Sequence, residues 1–431
     1  MISIRHLFKI IPFLILLAAI DSIQGYSSLP IHIVPFWWFI QGITLLIFWR
    51  FKFFFDNETT KKDMVAVKWL LLWNVLSIGR GLFIAETYWD WKAFTTISMG
   101  ILIPVVVYSV SYLPLWQSIF RFFIKYALPI FLPLCLFVTR DAYGFYLAPV
   151  IFLIFFVPVL PFKVKILIAV FSVWVICADF SARSNVIKFS IPFMLFVIYW
   201  MRGSVIMVKF LEIFRWVLMV APFILFFLAV ADIFNPFNMD KYIGGHHVEV
   251  KKNPDGEVVE ESLTADTRTF LYVEVLNTAK NNNSWIIGRS PARGTETEWF
   301  ADVAEVTGRK ERPWNEAAIL NVFIWTGIVG LILYMAVFFR ASYLAINKSN
   351  NVFCKMMGIF IAFRWLYAWV EDGNLYTIST IFLWVMIGVC LSSSFRSMTD
   401  DEMTTWARGI FEPKAQADLA LEEMELESAN Y

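Results

Sequence analysis

The feature that most constrains this fold is a series of long apolar runs, each close to the length that crosses a lipid bilayer. A membrane-spanning helix needs about 20 mainly apolar residues, and the sequence offers about twelve such runs. Charges are correspondingly few, since 59% of the 431 residues are hydrophobic and only 16% are charged. Soluble globular domains do not have this composition. The chain is therefore predicted to be a polytopic membrane protein.

The runs predict an all-α integral membrane protein with about 12 transmembrane helices and a large external loop that carries amphipathic helices. They centre on residues 7–22, 33–52, 65–85, 94–113, 117–139, 145–160, 163–179, 185–201, 206–232, 317–339, 353–370 and 375–394. The first run has the length of a signal peptide, but its end lacks a clean small-x-small cleavage site. We expect it to remain as a membrane helix.

The short connections predict the orientation, because positive charge is retained on the cytoplasmic side during insertion. If the N-terminus is inside, the inner connections hold most lysines and arginines, including Arg50, Lys52, Lys61, Lys62, Lys68, Arg121, Lys125, Lys163, Lys165, Arg202, Lys209, Arg340, Lys348 and Arg396. The outer short connections hold only Arg80, Lys92, Arg140 and Arg183. Both termini are therefore expected in the cytoplasm.

This topology divides the chain into four parts. Residues 1–232 form an N-terminal bundle of about nine membrane helices, 233–316 an external loop, 317–394 the C-terminal membrane helices and 395–431 a cytoplasmic tail. In the loop, residues 240–262 are typical of a turn or short hairpin. Residues 266–280 have helical apolar spacing, and Arg268 extends the apolar stripe, so it is expected to face inward. A glycine-punctuated turn at 285–294 and an amphipathic helix at 298–306 follow.

Several arginines lie at membrane depth, where an ionisable group is costly and indicates a site or pathway by default. Arg80 lies near the outer end of the third run, and Arg364 lies within the eleventh. Arg183 opens the eighth, where helix N-terminal amides and a guanidinium together suit a phosphate. The structural alternative is snorkelling or pairing with a carboxylate, which would be Glu86 for Arg80 and Glu371 for Arg364.

Glu316 lies where the loop meets the tenth run, beyond the loop arginines Arg268, Arg289 and Arg293. A carboxylate in this place can accept a proton from a substrate hydroxyl, and partial desolvation would make it a stronger base. A glutamate in the first turn of a helix is also stabilised by the helix dipole without any chemistry. The sequence leaves both interpretations open.

Metal-ion chemistry is not expected. The four cysteines lie in separate apolar runs without the spacing of metal ligands. His246, His247 and Glu249 sit in a turn-rich stretch, and no Asp-x-Asp motif is predicted to face outside, Glu86 and Asp90 being the closest substitute. A net charge of +1 indicates no nucleic-acid partner.

Three features resemble the O-antigen ligase and Wzy-type O-antigen polymerase superfamily of bacterial envelopes. The topology, with one large external loop late in the chain, is similar. The segment from Ser181 to Arg183 resembles the family's Gly-Ser-Arg motif at the start of a membrane helix. The run from Arg268 to Gly288 resembles its arginine-helix-glycine pattern, and Gly327-Ile-Val-Gly330 resembles the helix that closes the loop. The motifs cover roughly residues 170–340.

The resemblance implies a metal-independent glycosyltransferase of the bacterial inner membrane that needs no cofactor. Its donor would be an oligosaccharide on undecaprenyl diphosphate, and its acceptor a sugar hydroxyl of another lipid-linked repeat. The donor-binding residues would be Arg183, Arg268, Arg80, Arg289, Arg293 and Arg364. Eleven residues before Gly327, where ligases of the family have a histidine, this chain has Glu316, which would be the general base. Besides the lipid bilayer, a chain-length regulator is a possible partner.

Three alternatives remain. An O-antigen ligase would transfer the glycan to the lipid A core, although the missing histidine weakens that interpretation. A transporter of the lipid-linked sugar would use the arginines to bind cargo, but such proteins usually show paired repeats, and none is visible here. A purely structural membrane subunit would not explain the charges at membrane depth.

Overall fold

A computed structural model of the protein describes residues 4–51, 58–180, 182–204, 206–231, 233–235, 237, 248–252, 258–262, 268–298, 304 and 307–411. These residues are mostly helical, with only short strands. Among them, five helices are long and apolar enough to cross a membrane: Lys9–Tyr26, Val34–Phe51, Tyr88–Ser109, Met207–Val230 and Ala318–Asn347. The helical membrane-protein class is therefore confirmed, whereas a total of twelve spans stays a prediction.

The part of the chain before the loop is a series of helices of very different lengths. They are α1 (Ile4–Asp21), α2 (Val34–Phe51), α3 (Glu58–Asp63), α4 (Val65–Gly81), α5 (Tyr88–Ile101), α6 (Leu113–Phe122), α7 (Leu128–Leu134), α8 (Tyr143–Tyr146), α9 (Ala148–Ile154), α10 (Phe162–Ala178), α11 (Arg183–Met194), α12 (Phe196–Trp200) and α13 (Met207–Val230). Short 3₁₀ turns at Gln24–Tyr26, Ile103–Ser109, Arg140–Ala142 and Val157–Val159 and a π turn at Phe123–Ala127 connect some of them.

Within its described residues, the loop contains two small hairpins and the helix α14, and further helices follow it. In order these are β1 (Val248–Lys252), β2 (Val258–Ser262), α14 (Thr269–Asn281), β3 (Thr295–Glu296), β4 (Glu311–Arg312), α15 (Ala318–Asn347), α16 (Val352–Tyr367), α17 (Ile378–Leu391), α18 (Ser393–Ser397) and α19 (Asp400–Gly409). Strands β1 and β2 pair antiparallel, as do β3 and β4. The predicted hairpin and first loop helix are thus confirmed. The predicted helix at 298–306 falls largely outside the described residues.

Prolines divide several apolar runs into shorter helices. The run at 117–139 forms α6, a π turn and α7, with Pro133 inside α7. Pro149 lies in the first turn of α9, and Pro192 lies inside α11, just before the short α12. Proline lacks an amide hydrogen and crowds the preceding turn, so it interrupts a helix that hydropathy alone would continue. This explains why the chain has fewer long helices than apolar runs.

Helix α15 is central and packs against α4, α13, α16 and α17. Its buried Phe338 contacts Trp365 of α16 and Trp384 of α17, with ring centroids 6.0 and 6.4 Å apart. The indole of Trp365 also donates a hydrogen bond to the carbonyl of Met219 in α13 at 3.1 Å. Aromatic side chains of this size bury much apolar surface. They fix the position of α15, against which the loop packs.

Polar contacts join the segments at the end of the bundle remote from the loop. Asp63 accepts hydrogen bonds from Arg340 of α15 at 2.7 Å and from Arg396 of α18. Arg121 of α6 donates to the carbonyl of Ile410 at 3.1 Å, which holds the segment after α19 against the bundle. Residues 395–411 of the predicted tail are therefore packed against the helices, and 412–431 lie outside the described residues.

Candidate functional site

The loop inserts residues 284–290 into a break in α15. The helix loses its helical backbone at Gly327, where φ is 70° and ψ is −171°. Four backbone hydrogen bonds join the segment to the break: Arg289 N to Ile324 O at 2.7 Å, Ser290 N to Trp325 O at 3.1 Å, Ile328 N to Trp285 O at 2.8 Å and Val329 N to Ile286 O at 3.3 Å. The loop thus satisfies amides and carbonyls that a break at membrane depth would leave without partners.

Two glycines make this close approach possible. Gly288 and Gly327 both have a left-handed backbone, each with φ of 70°. A Cβ atom on Gly288 would overlap the backbone from Trp325 to Gly327, and a Cβ atom on Gly327 would overlap the backbone of Ile286. Only glycine meets both requirements without strain. The glycine spacing in the sequence therefore reflects a junction between the loop and the helix.

Helix α4 supports both sides of this junction. The Arg80 guanidinium donates to the carbonyls of Ile287 at 2.6 Å and Gly288 at 3.0 Å. The indole of Trp73 donates to the carbonyl of Thr326 at 2.8 Å. Arg80 therefore holds the inserted segment in position. The carboxylate considered as its alternative partner, Glu86, instead pairs with Arg309 of the loop at 2.5 Å.

The loop arginines Arg289 and Arg293 share one carboxylate. Glu311 accepts from Arg289 at 3.1 Å and from the Nε of Arg293 at 2.9 Å. Arg289 also donates to the carbonyl of Gly294 at 2.6 Å. Burial raises the pKa of Glu311, but the two arginines outweigh this effect and hold it below its usual range. These three side chains form a fixed internal network of the loop.

A second group of charges lies where the loop meets α11, α15 and α16. Arg268, directly before α14, forms an ion pair with Glu316, and its Nε donates to the carbonyl of Val370 at 3.3 Å. The side chain of Glu316 is 56% exposed, compared with 28% for Arg268. Burial lowers the pKa of Arg268; Glu371 opposes this shift, and Arg183 adds to it by repulsion. Arg183, Arg268 and Glu371 therefore lie within electrostatic reach of one another.

Behind this pair, three charged side chains are more deeply placed. Lys188 of α11 forms an ion pair with Glu371, with side chains only 5% and 18% exposed respectively. Arg364 of α16 is 8% exposed, and its Nε finds no hydrogen-bond partner within the described chain. Lys188, Arg364 and Ser379 contribute to the wall of one small cavity. A buried guanidinium with an unused donor is suited to an anionic ligand.

The connection between α16 and α17 joins Glu371 to the start of α15. The carbonyl of Glu371 accepts from the amide of Ala318 at 3.0 Å, and the carbonyl of Ala368 accepts from the amide of Ile319 at 3.1 Å. The carboxylate of Asp372 accepts from the side-chain amide of Asn321 at 3.0 Å. These bonds fix the helix start two residues after Glu316. The segments that carry Glu316 and Glu371 are therefore held together by backbone hydrogen bonds.

The structure separates the predicted site residues into two groups. Arg183, Arg268, Glu316 and Arg364 belong to the charged group around Glu371, whereas Arg80, Arg289 and Arg293 hold the loop and its junction. Sequence reasoning placed Glu371 opposite Arg364 but missed its direct ion pair with Lys188. The signal was that Lys188 lies within the apolar run at 185–201 and Glu371 directly after the run at 353–370, since a charge in such a place needs a partner.

Within the residues that the structure describes, no three histidine, cysteine, aspartate or glutamate side chains lie close enough to hold a metal ion. His246 and His247 lie outside these residues. Comparison of the chain with models of known families, with characterised proteins and with solved structures finds no match.

Proposed function

We propose that this protein is a membrane glycosyltransferase that polymerises the repeat units of a bacterial O-antigen or capsule. It transfers an oligosaccharide from undecaprenyl diphosphate to a sugar hydroxyl of another lipid-linked repeat at the periplasmic face of the inner membrane. The observation that carries the proposal is the Arg268–Glu316 pair, which places a partly exposed carboxylate beside a partly buried guanidinium where the loop meets the helices.

The cations of this group suit a diphosphate leaving group. Arg183, Arg268 and Arg364 bind and neutralise it as negative charge develops on the departing oxygen, and preorganised cations are most effective in such a low-dielectric site. Arg364 supplies the buried donor, and Arg183 lies at the N-terminus of α11, where backbone amides also favour an anion. We assign Arg80, Arg289 and Arg293 to holding the loop.

Glu316 acts as the general base. The acceptor hydroxyl oxygen attacks the anomeric carbon while the bond from that carbon to the phosphate oxygen breaks, and the hydroxyl proton passes to the Glu316 carboxylate. The lipid diphosphate leaves, and the anomeric configuration inverts because the transfer is a single displacement. Arg268 occupies the Glu316 carboxylate in the ion pair, so a donor diphosphate that draws Arg268 toward itself frees this carboxylate to accept the hydroxyl proton.

A reconstituted assay tests this function. Purified protein in liposomes receives undecaprenyl-diphosphate-linked repeats, and the products are separated by length. A ladder formed from repeats alone supports the polymerase. Product formed only after addition of lipid A core identifies a ligase, and movement of unchanged lipid-linked sugar across the bilayer identifies a transporter. Either of these results overturns the proposal, as does the recovery of single, unpolymerised repeats only.

In cells, deletion of the gene for this chain gives a second readout. A polymerase deletion leaves glycan of a single repeat attached to the lipid A core, whereas a ligase deletion leaves none attached to that core. The chain-length regulator enters the proposal as the expected protein partner, and it is tested by the distribution of product lengths with and without that partner in the same liposomes.

A further inference from the structure

Asp21 is a buried acid at the end of α1, outside the charged group already described. It is 6% exposed, and its carboxylate oxygens accept from the side-chain amides of Gln24 at 2.5 Å and Gln41 at 2.8 Å. Across the described ranges, no lysine, arginine or histidine forms an ion pair with it. An ionised carboxylate in such a place is costly unless a positive charge accompanies it.

Around Asp21, several buried oxygen atoms accept no hydrogen bond from the described residues. The amide oxygens of Gln24 and Gln41 are buried and have no hydrogen-bond donor in the described chain, and Gln41 is only 7% exposed. The hydroxyl of Tyr376 lies beside Thr44 and within electrostatic reach of Asp21. Asp21 at the end of α1 therefore contacts the turn that carries Gln24 and helix α2, and Tyr376 in the connection before α17 lies within electrostatic reach of it.

We propose that Asp21, Gln24, Gln41 and Tyr376 form a binding site for a monovalent cation of the sodium type. The cation balances the single carboxylate and gives the amide oxygens the positive partner that they lack. A proton on Asp21 removes the charge but leaves both amide oxygens without a partner. A divalent ion is a poor match, because calcium and magnesium sites draw on more carboxylates or retained waters.

The site is joined to the connection that carries Glu371. Ser22, next to Asp21, accepts a hydrogen bond from the amide of Ile378 at 2.7 Å, at the start of α17. Tyr376 belongs to the same connection, two residues earlier. A bound cation therefore fastens α1 and α2 to this connection and stabilises the protein without being part of the transfer reaction.

The test is thermal unfolding of the full-length protein in lipid nanodiscs, titrated with sodium chloride while choline chloride keeps the ionic strength constant. We expect a saturable rise of the midpoint by about 3 °C, since a ligand that binds only the folded state stabilises it. In Asp21→Asn the rise is absent. In Gln41→Met, which keeps the volume but removes an oxygen ligand, half-saturation requires about tenfold more sodium.

Asp63→Asn is the matched control, because Asp63 is an equally buried acid that already has two arginine partners. Its midpoint falls in both salts while the sodium-dependent rise remains. If Asp21→Asn does not fold, the Gln41→Met titration decides alone. Equal midpoints in sodium and choline for the unmodified protein overturn the proposal, as does an unchanged half-saturation in Gln41→Met. Because no donor or acceptor is present, these results do not depend on the proposed transfer activity.

Discussion

Gly288 lies against the backbone of residues 325–327, Gly327 lies against the backbone of Ile286 and Ile287, and each glycine has a φ of 70°. One belongs to the external loop and the other to the middle of α15, so the contact joins two parts of the chain that hydropathy assigns to different environments. Residues 284–290 of the loop therefore pack into the helix bundle, and the loop does more than connect two helices.

Substitution of either glycine by alanine is expected to destabilise the protein. Each alanine would adopt a left-handed backbone and overlap backbone atoms of the facing segment, and strain of this kind costs about 1–3 kcal/mol. The measurement is the thermal midpoint in nanodiscs. Gly79→Ala is the control, because nothing lies within 4 Å of its added Cβ. Equal midpoints for Gly327→Ala and Gly79→Ala would contradict the interlocked junction.

Replacement of Glu316 by glutamine removes the proposed base while keeping the side-chain volume. We expect at least about a 100-fold loss of polymerisation rate with an unchanged thermal midpoint, since general base catalysis contributes on the order of 10²–10⁴-fold. Glu298→Gln, at another exposed glutamate of the same loop, is the control and retains activity. A Glu316→Gln protein with full ladder formation would exclude this carboxylate as the base.

The buried ion pair between Lys188 and Glu371 predicts that substitutions of these two residues have strongly non-additive effects on stability. Lys188→Met and Glu371→Gln each leave one charge without its partner, and each is expected to cost about 3 kcal/mol of stability. The double variant removes both charges and should recover much of that loss, which a double-mutant cycle detects. If the shift in thermal midpoint of the double variant equals the sum of the two single shifts, the two side chains do not interact. Lys280→Met, at an exposed lysine of the loop, should be neutral.

The Glu311 network predicts that the loop unfolds in acid. The folded pKa of Glu311 lies below its ordinary value of 4.5, so its contribution is complete above that value and disappears as pH falls through the lower folded pKa. Protease sensitivity of the loop should therefore rise only below about pH 4.5. In Glu311→Gln, the loop should be more sensitive to protease at neutral pH, and its protease sensitivity should change less as the pH falls. An unchanged acid profile in that variant would assign the transition to other groups.

Hydropathy predicted the positions of most helices, because the need to satisfy backbone groups in lipid is local and leaves long apolar runs. It did not predict where Pro149 and Pro192 would divide those runs into short helices, since that depends on how neighbouring helices accommodate the break. The hairpin and helix of the loop were predicted from turn residues and apolar spacing, which are also local signals.

The candidate site was predicted less completely for a related reason. Arg268 and Glu316 were recognised individually, but the ion pair of Lys188 with Glu371 joins α11 to the connection after α16, and no local pattern specifies that approach. Arg80 was predicted at a binding site from its depth, and that role stays a prediction; the structure shows two of its nitrogens donating to the carbonyls of Ile287 and Gly288, partners that no local pattern specified. Depth identifies a costly charge without identifying its partner.

The break in α15 has a consequence for how the protein is made. Segment 284–290 precedes α15 in the chain, so it is synthesised before the helix leaves the ribosome. The amides and carbonyls around Gly327 find their partners only when this segment packs against them. Membrane integration of this helix and folding of the loop are therefore coupled, and a chain truncated between them should be retained by the insertion machinery.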